Sequence, residues 1–302
     1  MAGGPVVIEA AISGAKQRNP NSPSTPAEIS ADALACFDAG AAIVHNHIDR
    51  MGVPTSEAAD RYLEGWRPVL EQRPDALVYP TVNAGAPPPG EDLSGVGPAY
   101  AHLDPLAATG VLRMSLCDPG SVNLARVGAD GLPSGGMVYR NSVDDFAAVL
   151  DQAIRLELGP SIAIYEPGWL RHILMWQRAG RLPAGSMVKL YLCADEGFTG
   201  APFGLPPTEA GLAAYVDLLD GSGIPWAVSV VGGDVVATGM ADLALEAGGH
   251  IHTGLEPYRS SRTPTNAQLV NEAVEVVRRH GRTVASPDET AELIGLPRRR
   301  AA

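Results

Sequence analysis

Two histidines one residue apart, His45 and His47, close an apolar, β-branched run that begins at Ala41. On a strand, residues i and i+2 project from the same face. Both imidazoles therefore stand together at the strand's carboxyl end, which is half of a divalent-metal site. The structural alternative is a pair of hydrogen-bonded histidines with no ion. A carboxylate, Glu256, follows a second histidine-bearing run, His250-Ile251-His252, much later in the chain. Two histidines and one carboxylate leave positions open for water or substrate, as a catalytic zinc requires. Taken alone, Glu256 reads equally well as a helix-capping or surface carboxylate.

Residues so far apart meet only if the intervening elements bring them together. The chain alternates strand-like and helix-like segments about eight times, with no linker of changed composition. Strands are expected at Val6–Ile12, around His45, and at Ala76–Pro80, Val111–Ser115, Ile162–Tyr165, Met187–Tyr191, Trp226–Val231 and His250–His252. Helix starts are marked by Thr25-Pro26-Ala27-Glu28 and by Thr265 with Gln268, each a side-chain cap with a reciprocal partner three residues on, and Ser286-Pro287-Asp288-Glu289 starts a short terminal helix. This order predicts a single (β/α)8 TIM barrel across residues 1–302, with a short terminal helix and basic tail over 286–302. A doubly wound open sheet is the rival, but no Gly-x-Gly-x-x-Gly follows the first strand. Glycine-rich residues from Ser121 to Arg140 read as a long loop that covers the site or mediates a subunit contact. Another Gly/Pro-rich loop follows Asn83.

In such a barrel the carboxyl ends of the strands form the catalytic rim. The residues falling there are Lys16, His45, His47, Thr81, Asn83, Ser115, Glu166, Tyr191, Ser229, His252 and Glu256. The last strand neighbours the first, and the first neighbours the second, so Glu256 can reach the ion held by His45 and His47. Of the polar rim residues, Asn83, Glu166 and Ser229 are candidates for substrate binding. His102, His172 and His280 fall in helical or loop context and read as structural or exposed.

The 302 residues are 45% hydrophobic and 19% charged, enough for a large core. A net charge of −12 argues against nucleic acid or an anionic membrane as partner. Three widely spaced cysteines fit free thiols in a reducing compartment. With no signal peptide and no apolar run long enough to span a bilayer, a cytoplasmic location is expected.

Five stretches resemble the β-keto acid cleavage enzymes: Ala10–Ala15, Ala39-Gly40-Ala41 through His45-Asn46-His47, Trp226-Ala227-Val228, Gly248–Glu256, and Asn266–Val270. The resemblance covers essentially the whole chain. It implies a zinc-dependent (β/α)8 enzyme, a homo-oligomer (dimer or tetramer), with no other bound cofactor. Its reaction condenses a β-keto acid with acetyl-CoA, then cleaves the adduct in a retro-Claisen step to acetoacetate and a new acyl-CoA. By the same resemblance His45, His47 and Glu256 match the zinc ligands. Thr81 falls at a hydroxyl that assists acyl transfer, and Ser115 at one that contacts substrate.

Four positions depart from the family pattern. His252 stands in place of an Arg, and Pro257 in place of the Asp after the ligand Glu; that Arg–Asp pair is the expected base system. Lys16 replaces an acid, and Gly233 occupies the place of an Arg after the seventh strand. A proton acceptor is still required, and His252 is the nearby group with an ordinary pKa near working pH. As alternatives, it is a neutral space-filling histidine or an additional zinc ligand. Lys16, a catalytic candidate, is read as a point charge for a substrate carboxylate, as a lysine whose pKa falls on burial, or as a solvated rim lysine. Two other functions compete: a metal-dependent hydrolase that needs no CoA, and a catalytically silent barrel of the same descent.

Overall fold

The computed structural model describes residues 3–14, 16–83 and 99–298. Ala15, the Gly/Pro-rich loop after Asn83 and Arg299-Arg300 of the tail lie outside the described residues. The expected apolar runs are strands: β1 (Ile8–Ala11), β2 (Ile43–Asn46), β3 (Leu77–Pro80) and β4 (Met114–Cys117). After β5 (Val122–Val127) and β6 (Pro133–Tyr139) come β7 (Gly159–Ile164), β8 (Met187–Cys193), β9 (Trp226–Val231) and β10 (His250–Thr253). Eight of them form one parallel sheet in the order β3-β2-β1-β10-β9-β8-β7-β4. Its two ends, β3 and β4, lie against each other, so the sheet nearly closes into a (β/α)8 barrel.

The helices are α1 (Pro26–Ala39), α2 (Thr55–Gln72), α3 (Leu103–Ala108), α4 (Val143–Leu156), α5 (Pro167–Arg178), α6 (Glu209–Leu219), α7 (Met240–Glu246), α8 (Asn266–Arg279) and α9 (Pro287–Leu293). Thr25, Ser142, Thr265 and Ser286 close capping boxes at α1, α4, α8 and α9. Each satisfies two backbone N–H donors, those of the cap residue and of the third helical residue, and stabilises its helix by about 1 kcal/mol.

Register decides which strand residues face the barrel axis. Glu9 pairs with His252, Ala11 with His45, His45 with Tyr79, and Tyr191 with Ser229. Ser161 reaches Glu9 across the barrel, so its register neighbour Leu116 shares the inner face. Alternation then puts Ser115, paired with Pro160, on the outer, helix-facing side. The fourth strand begins later than the apolar run at Val111 predicts, because pairing with β7, not hydropathy, sets its register.

The stretch from Ser121 to Arg140 is not a loop. It is an antiparallel hairpin of β5 and β6, with a register shift between Leu124 and Arg126. Gly136 sits there at φ +88°, and a Cβ on it would stand 2.0 Å from the Leu124 carbonyl oxygen, so only glycine is accommodated. Glycines that read as loop are here the bulge and turn residues of a strand pair. Cys36, Cys117 and Cys193 are buried free thiols. No helix among the described residues is long and apolar enough to cross a membrane.

Candidate metal centre

His45 ends the inner face of β2, and His47 lies just past it. The His47 N–H donates to Ser13 Oγ at 2.8 Å, and the Ile12 N–H donates to the His45 carbonyl at 2.9 Å, so β1 steers the pair. Glu256 arrives from the turn after β10. Gly254 takes φ +122° there, and a Cβ on it would lie 2.2 Å from the Ala11 carbonyl oxygen. That close approach lets the Glu256 N–H donate to the same carbonyl at 3.2 Å. Asn266, first residue of α8, locks the turn: its Oδ1 accepts from Leu255 N–H at 2.8 Å, and its Nδ2 donates to the Ile12 carbonyl at 2.9 Å and to Asp32 Oδ2 at 2.6 Å.

Glu256 Oε2 lies 3.4 Å from His45 Nε2 and 3.3 Å from His47 Nε2. One atom from each of the three falls within 4.8 Å of the others. Tetrahedral ligands at about 2.0–2.1 Å from a zinc ion stand about 3.3–3.4 Å apart, so these separations suit such an ion. His47 Nε2 and Glu256 Oε2 are buried without a hydrogen-bond partner, a costly state that a bound cation relieves. Burial, reinforced by nearby Lys189 and His47 and only partly offset by Glu256, takes His45 down to about 3, leaving it neutral. Burial also pulls on His47, but the Glu256 carboxylate outweighs it and the net shift is upward. Glu256 is depressed despite burial, because His47 and His45 face it. The donor set fits a divalent ion, zinc among them.

Beneath this set the barrel interior is polar. The His45 ring stacks on Tyr79 at 4.5 Å between centroids. Tyr79 donates to Glu9 and accepts from Lys189 Nζ at 2.7 Å, while Lys189 Nζ stands 3.3 Å from Glu9 Oε1. His252 is completely buried, its Nδ1 sharing a hydrogen bond with Ser229 Oγ at 2.9 Å and its Nε2 lying 3.6 Å from Glu9. Burial lowers His252 to about 4 against the pull of Glu9. Glu9 itself is depressed: burial raises it, but Lys189, His252 and the Tyr79 hydrogen bond together win. The sequence carried a signal for this layer, since Glu9 and Lys189 each interrupt an apolar strand, and buried charges are paired.

Above the ligands opens a cavity of about 370 Å³ whose walls include Ser13, His47, Thr81, Asp118, Tyr139, Tyr165, Phe198, Glu256, Arg18 and Arg259. Among the candidate residues, Thr81, His47 and Glu256 reach it. The others occupy different places. Lys16 is exposed and paired with Glu28 at 2.7 Å, beside a separate crevice that also touches His47. Asn83 spends its amide on backbone, accepting from Gly52 N–H at 2.8 Å and donating to the Val53 carbonyl at 2.7 Å. Glu166 accepts from Gly204 N–H at 3.1 Å. Ser115 is buried away from the cavity, and Ser229 supports His252 below it. His102 is structural, its Nε2 donating to the Thr81 carbonyl at 2.9 Å.

Several cavity residues were not legible beforehand. Arg259 lines the cavity, its backbone N–H donating to the Gly233 carbonyl at 2.9 Å and its guanidinium to the Tyr258 carbonyl at 2.8 Å. Asp118 and Tyr139 meet only because the hairpin folds back on β4. Ionisable residues in a glycine-rich stretch carry no periodicity that would point them anywhere.

A family profile described as beta-keto acid cleavage enzyme matches residues 5–296. Among relatives, a 3-keto-5-aminohexanoate cleavage enzyme of Fusobacterium nucleatum is 25% identical over 96% of this chain and 98% of its own. A 3-oxoadipate:acetyl-CoA acetyltransferase of Cupriavidus necator is likewise 25% identical, over 97% of this chain and 95% of its own. Among solved structures, ObcA in binary complex with oxaloacetate superposes with a TM-score of 0.66 at 16% identity, covering 92% of this chain and 68% of that one. That last likeness speaks to the fold.

Proposed function

This chain belongs to the beta-keto acid cleavage enzyme family, and on that premise we propose that it cleaves a β-keto acid with acetyl-CoA at a zinc ion held by His45, His47 and Glu256. The observation that carries this reading is the convergence of Glu256 Oε2 on both imidazole Nε2 atoms, 3.3 and 3.4 Å away, at the floor of the cavity. Overall, the acyl group of the β-keto acid moves to CoA while the acetyl group joins the remaining two-carbon carboxylate, giving acetoacetate and a new acyl-CoA. Named relatives support that exchange: one is an acetyl-CoA acetyltransferase for 3-oxoadipate.

A zinc ion held by His45, His47 and Glu256 would supply Lewis-acid chemistry, making the central methylene of a β-keto acid more acidic. The chain's own residues do the rest. Thr81 lines the cavity, and its hydroxyl is our candidate donor to the oxyanion that forms when a carbanion attacks a thioester. Arg18 and Arg259 give the mouth positive charge in a protein of net charge −12, which suits a substrate carboxylate or the phosphates of CoA. Tyr165, Phe198, Leu124 and Tyr139 give it apolar walls that exclude water. His252, hydrogen-bonded to Ser229 Oγ and facing Glu9, belongs to the polar layer below the floor.

Incubating the purified protein with zinc, acetyl-CoA and a panel of β-keto acids tests the reading. Acetoacetate and a new acyl-CoA are the expected products, and their absence across the panel overturns it. His45→Ala is expected to lose zinc and activity while keeping a folded barrel, because a rim residue contributes little to the core. Stoichiometric zinc in that variant contradicts the ligand assignment.

A further inference from the structure

We propose that Asp118, held by Tyr139 of the β5–β6 hairpin, is the catalytic residue that takes the proton from the β-keto acid's central methylene. The inference rests on the β-keto acid reading above and deepens it. The chain lacks the Arg–Asp base pair that the family pattern leads one to expect: His252 and Pro257 stand in those places. Pro257 has no side-chain base, and its carbonyl is occupied by the Gly232 N–H at 2.9 Å.

The remaining bases can be sorted by access. His252 and Glu9 are completely buried beneath the ligand set, engaged with Ser229, Tyr79 and Lys189, and neither lines the cavity. Of the ionisable groups that do line it, Glu256 and His47 are metal ligands, and Arg18 and Arg259 are permanently protonated. Burial holds the phenols of Tyr139 and Tyr165 well above their ordinary range, so neither accepts a proton at neutral pH. Asp118 is the carboxylate left among the described residues of the cavity wall.

Its setting suits the task. Asp118 follows β4 directly, at the catalytic end of the barrel. Tyr139 donates to its Oδ2, and among the described residues no hydrogen bond goes to Oδ1, which leaves one oxygen to receive a proton. Burial raises its carboxyl above the usual range and Glu256 adds to that, while Tyr139, Lys189 and His47 oppose it; the net shift is upward. A carboxylate made more basic in this way is better matched to a carbon acid. The hairpin is pinned where this requires: Thr199 Oγ1 donates to the Ala125 carbonyl at 2.6 Å, and Ser121 Oγ to the Asn141 carbonyl at 2.9 Å.

In the step itself the methylene C–H bond breaks, its electron pair passes into the enolate, and the proton moves to Asp118 Oδ1. A proton from Asp118, exchangeable with solvent in the interval, returns to the carbanion released when the adduct cleaves, so the carboxylate is regenerated each turnover.

Deuterium exchange tests this without requiring acyl transfer. The zinc-loaded protein is mixed with 3-oxoadipate in D2O, without acetyl-CoA, and loss of the C2 proton signal is followed against the uncatalysed rate. Wild type is expected to accelerate exchange, and Asp118→Asn to lose that acceleration by roughly 100-fold or more with zinc content unchanged. In Asp118→Ala, added formate is expected to restore part of the rate, which a purely structural role does not predict. Tyr139→Phe keeps the carboxylate but removes its donor, so the acid limb of the exchange profile should move to higher pH. Wild-type exchange in Asp118→Asn, or an unmoved limb in Tyr139→Phe, overturns the assignment of Asp118 alone. A wild-type protein that neither exchanges 3-oxoadipate nor forms any acyl-CoA across the panel overturns the functional reading together with it.

Discussion

At the scale of single residues, the two histidines are alike in sequence and unlike in state. His45 is neutral at any working pH, because burial holds it at about 3. His47 is raised by the facing Glu256 and is the one that carries a proton in mildly acidic solution without metal. Under the proposed ligand set, a metal ion binding His47 must displace that proton. Below pH 6.5 zinc affinity is therefore expected to weaken about tenfold per pH unit, the slope for one proton. Calorimetric titrations in buffers of different ionisation enthalpy check this, and a hundredfold-per-unit slope or a flat profile refutes the assignment of states. The sign follows from the shift: the raised group is protonated below its pKa, and only the neutral imidazole is a ligand.

At the scale of elements, Glu256, the carboxylate of the proposed ligand set, depends on one helix start. Thr265 caps α8 by accepting from Gln268 N–H, and that cap fixes Asn266, whose amide ties the ends of β1, α1 and the turn after β10. Asn266→Ala leaves a Leu255 N–H and an Ile12 carbonyl without this partner and frees the Glu256 turn. Zinc binding is expected to weaken by about 10–100-fold, as for other supports behind a metal ligand. The same titration on wild type and variant measures it; an unchanged affinity shows that Gly254 and Ala11 suffice. The hairpin is the second element with consequences. Leu132, Met137 and Val138 on it are more than half exposed, at 62, 55 and 62%. Under the proposal that the chain forms a dimer or tetramer through this face, Met137→Lys with Val138→Lys should give a smaller species by light scattering. A monomeric wild type refutes the proposal.

At the scale of the whole molecule, the nearly closed barrel surrounds a buried ion pair. Lys189 and Glu9 are 5 and 0% exposed and come from strands on opposite arcs of the sheet. Removing one partner leaves an uncompensated charge in the core. Lys189→Met alone is expected to lower stability of the metal-free protein by about 3–5 kcal/mol, with much of the loss recovered in Lys189→Met/Glu9→Gln. Urea denaturation of the two variants decides it, and equal losses in both show that the lysine acts through packing alone.

The (β/α)8 order, the helix caps at Thr25, Thr265 and Ser286, and the His45, His47 and Glu256 set were all legible in the chain. Hydrophobic period, capping chemistry and histidine spacing are local properties, and the family likeness supplied the long-range pairing. Register and side-chain direction were not legible, because they depend on what each strand pairs with. Pairing with β7 turns Ser115 toward the helices, and a salt bridge to Glu28 holds Lys16 at the surface. Pairing of β5 with β6 makes a hairpin of what reads as loop, and so brings Tyr139 to Asp118. A sequence states which groups exist and how often they recur; which of them share one cavity is settled only when the sheet closes and every strand takes a single register.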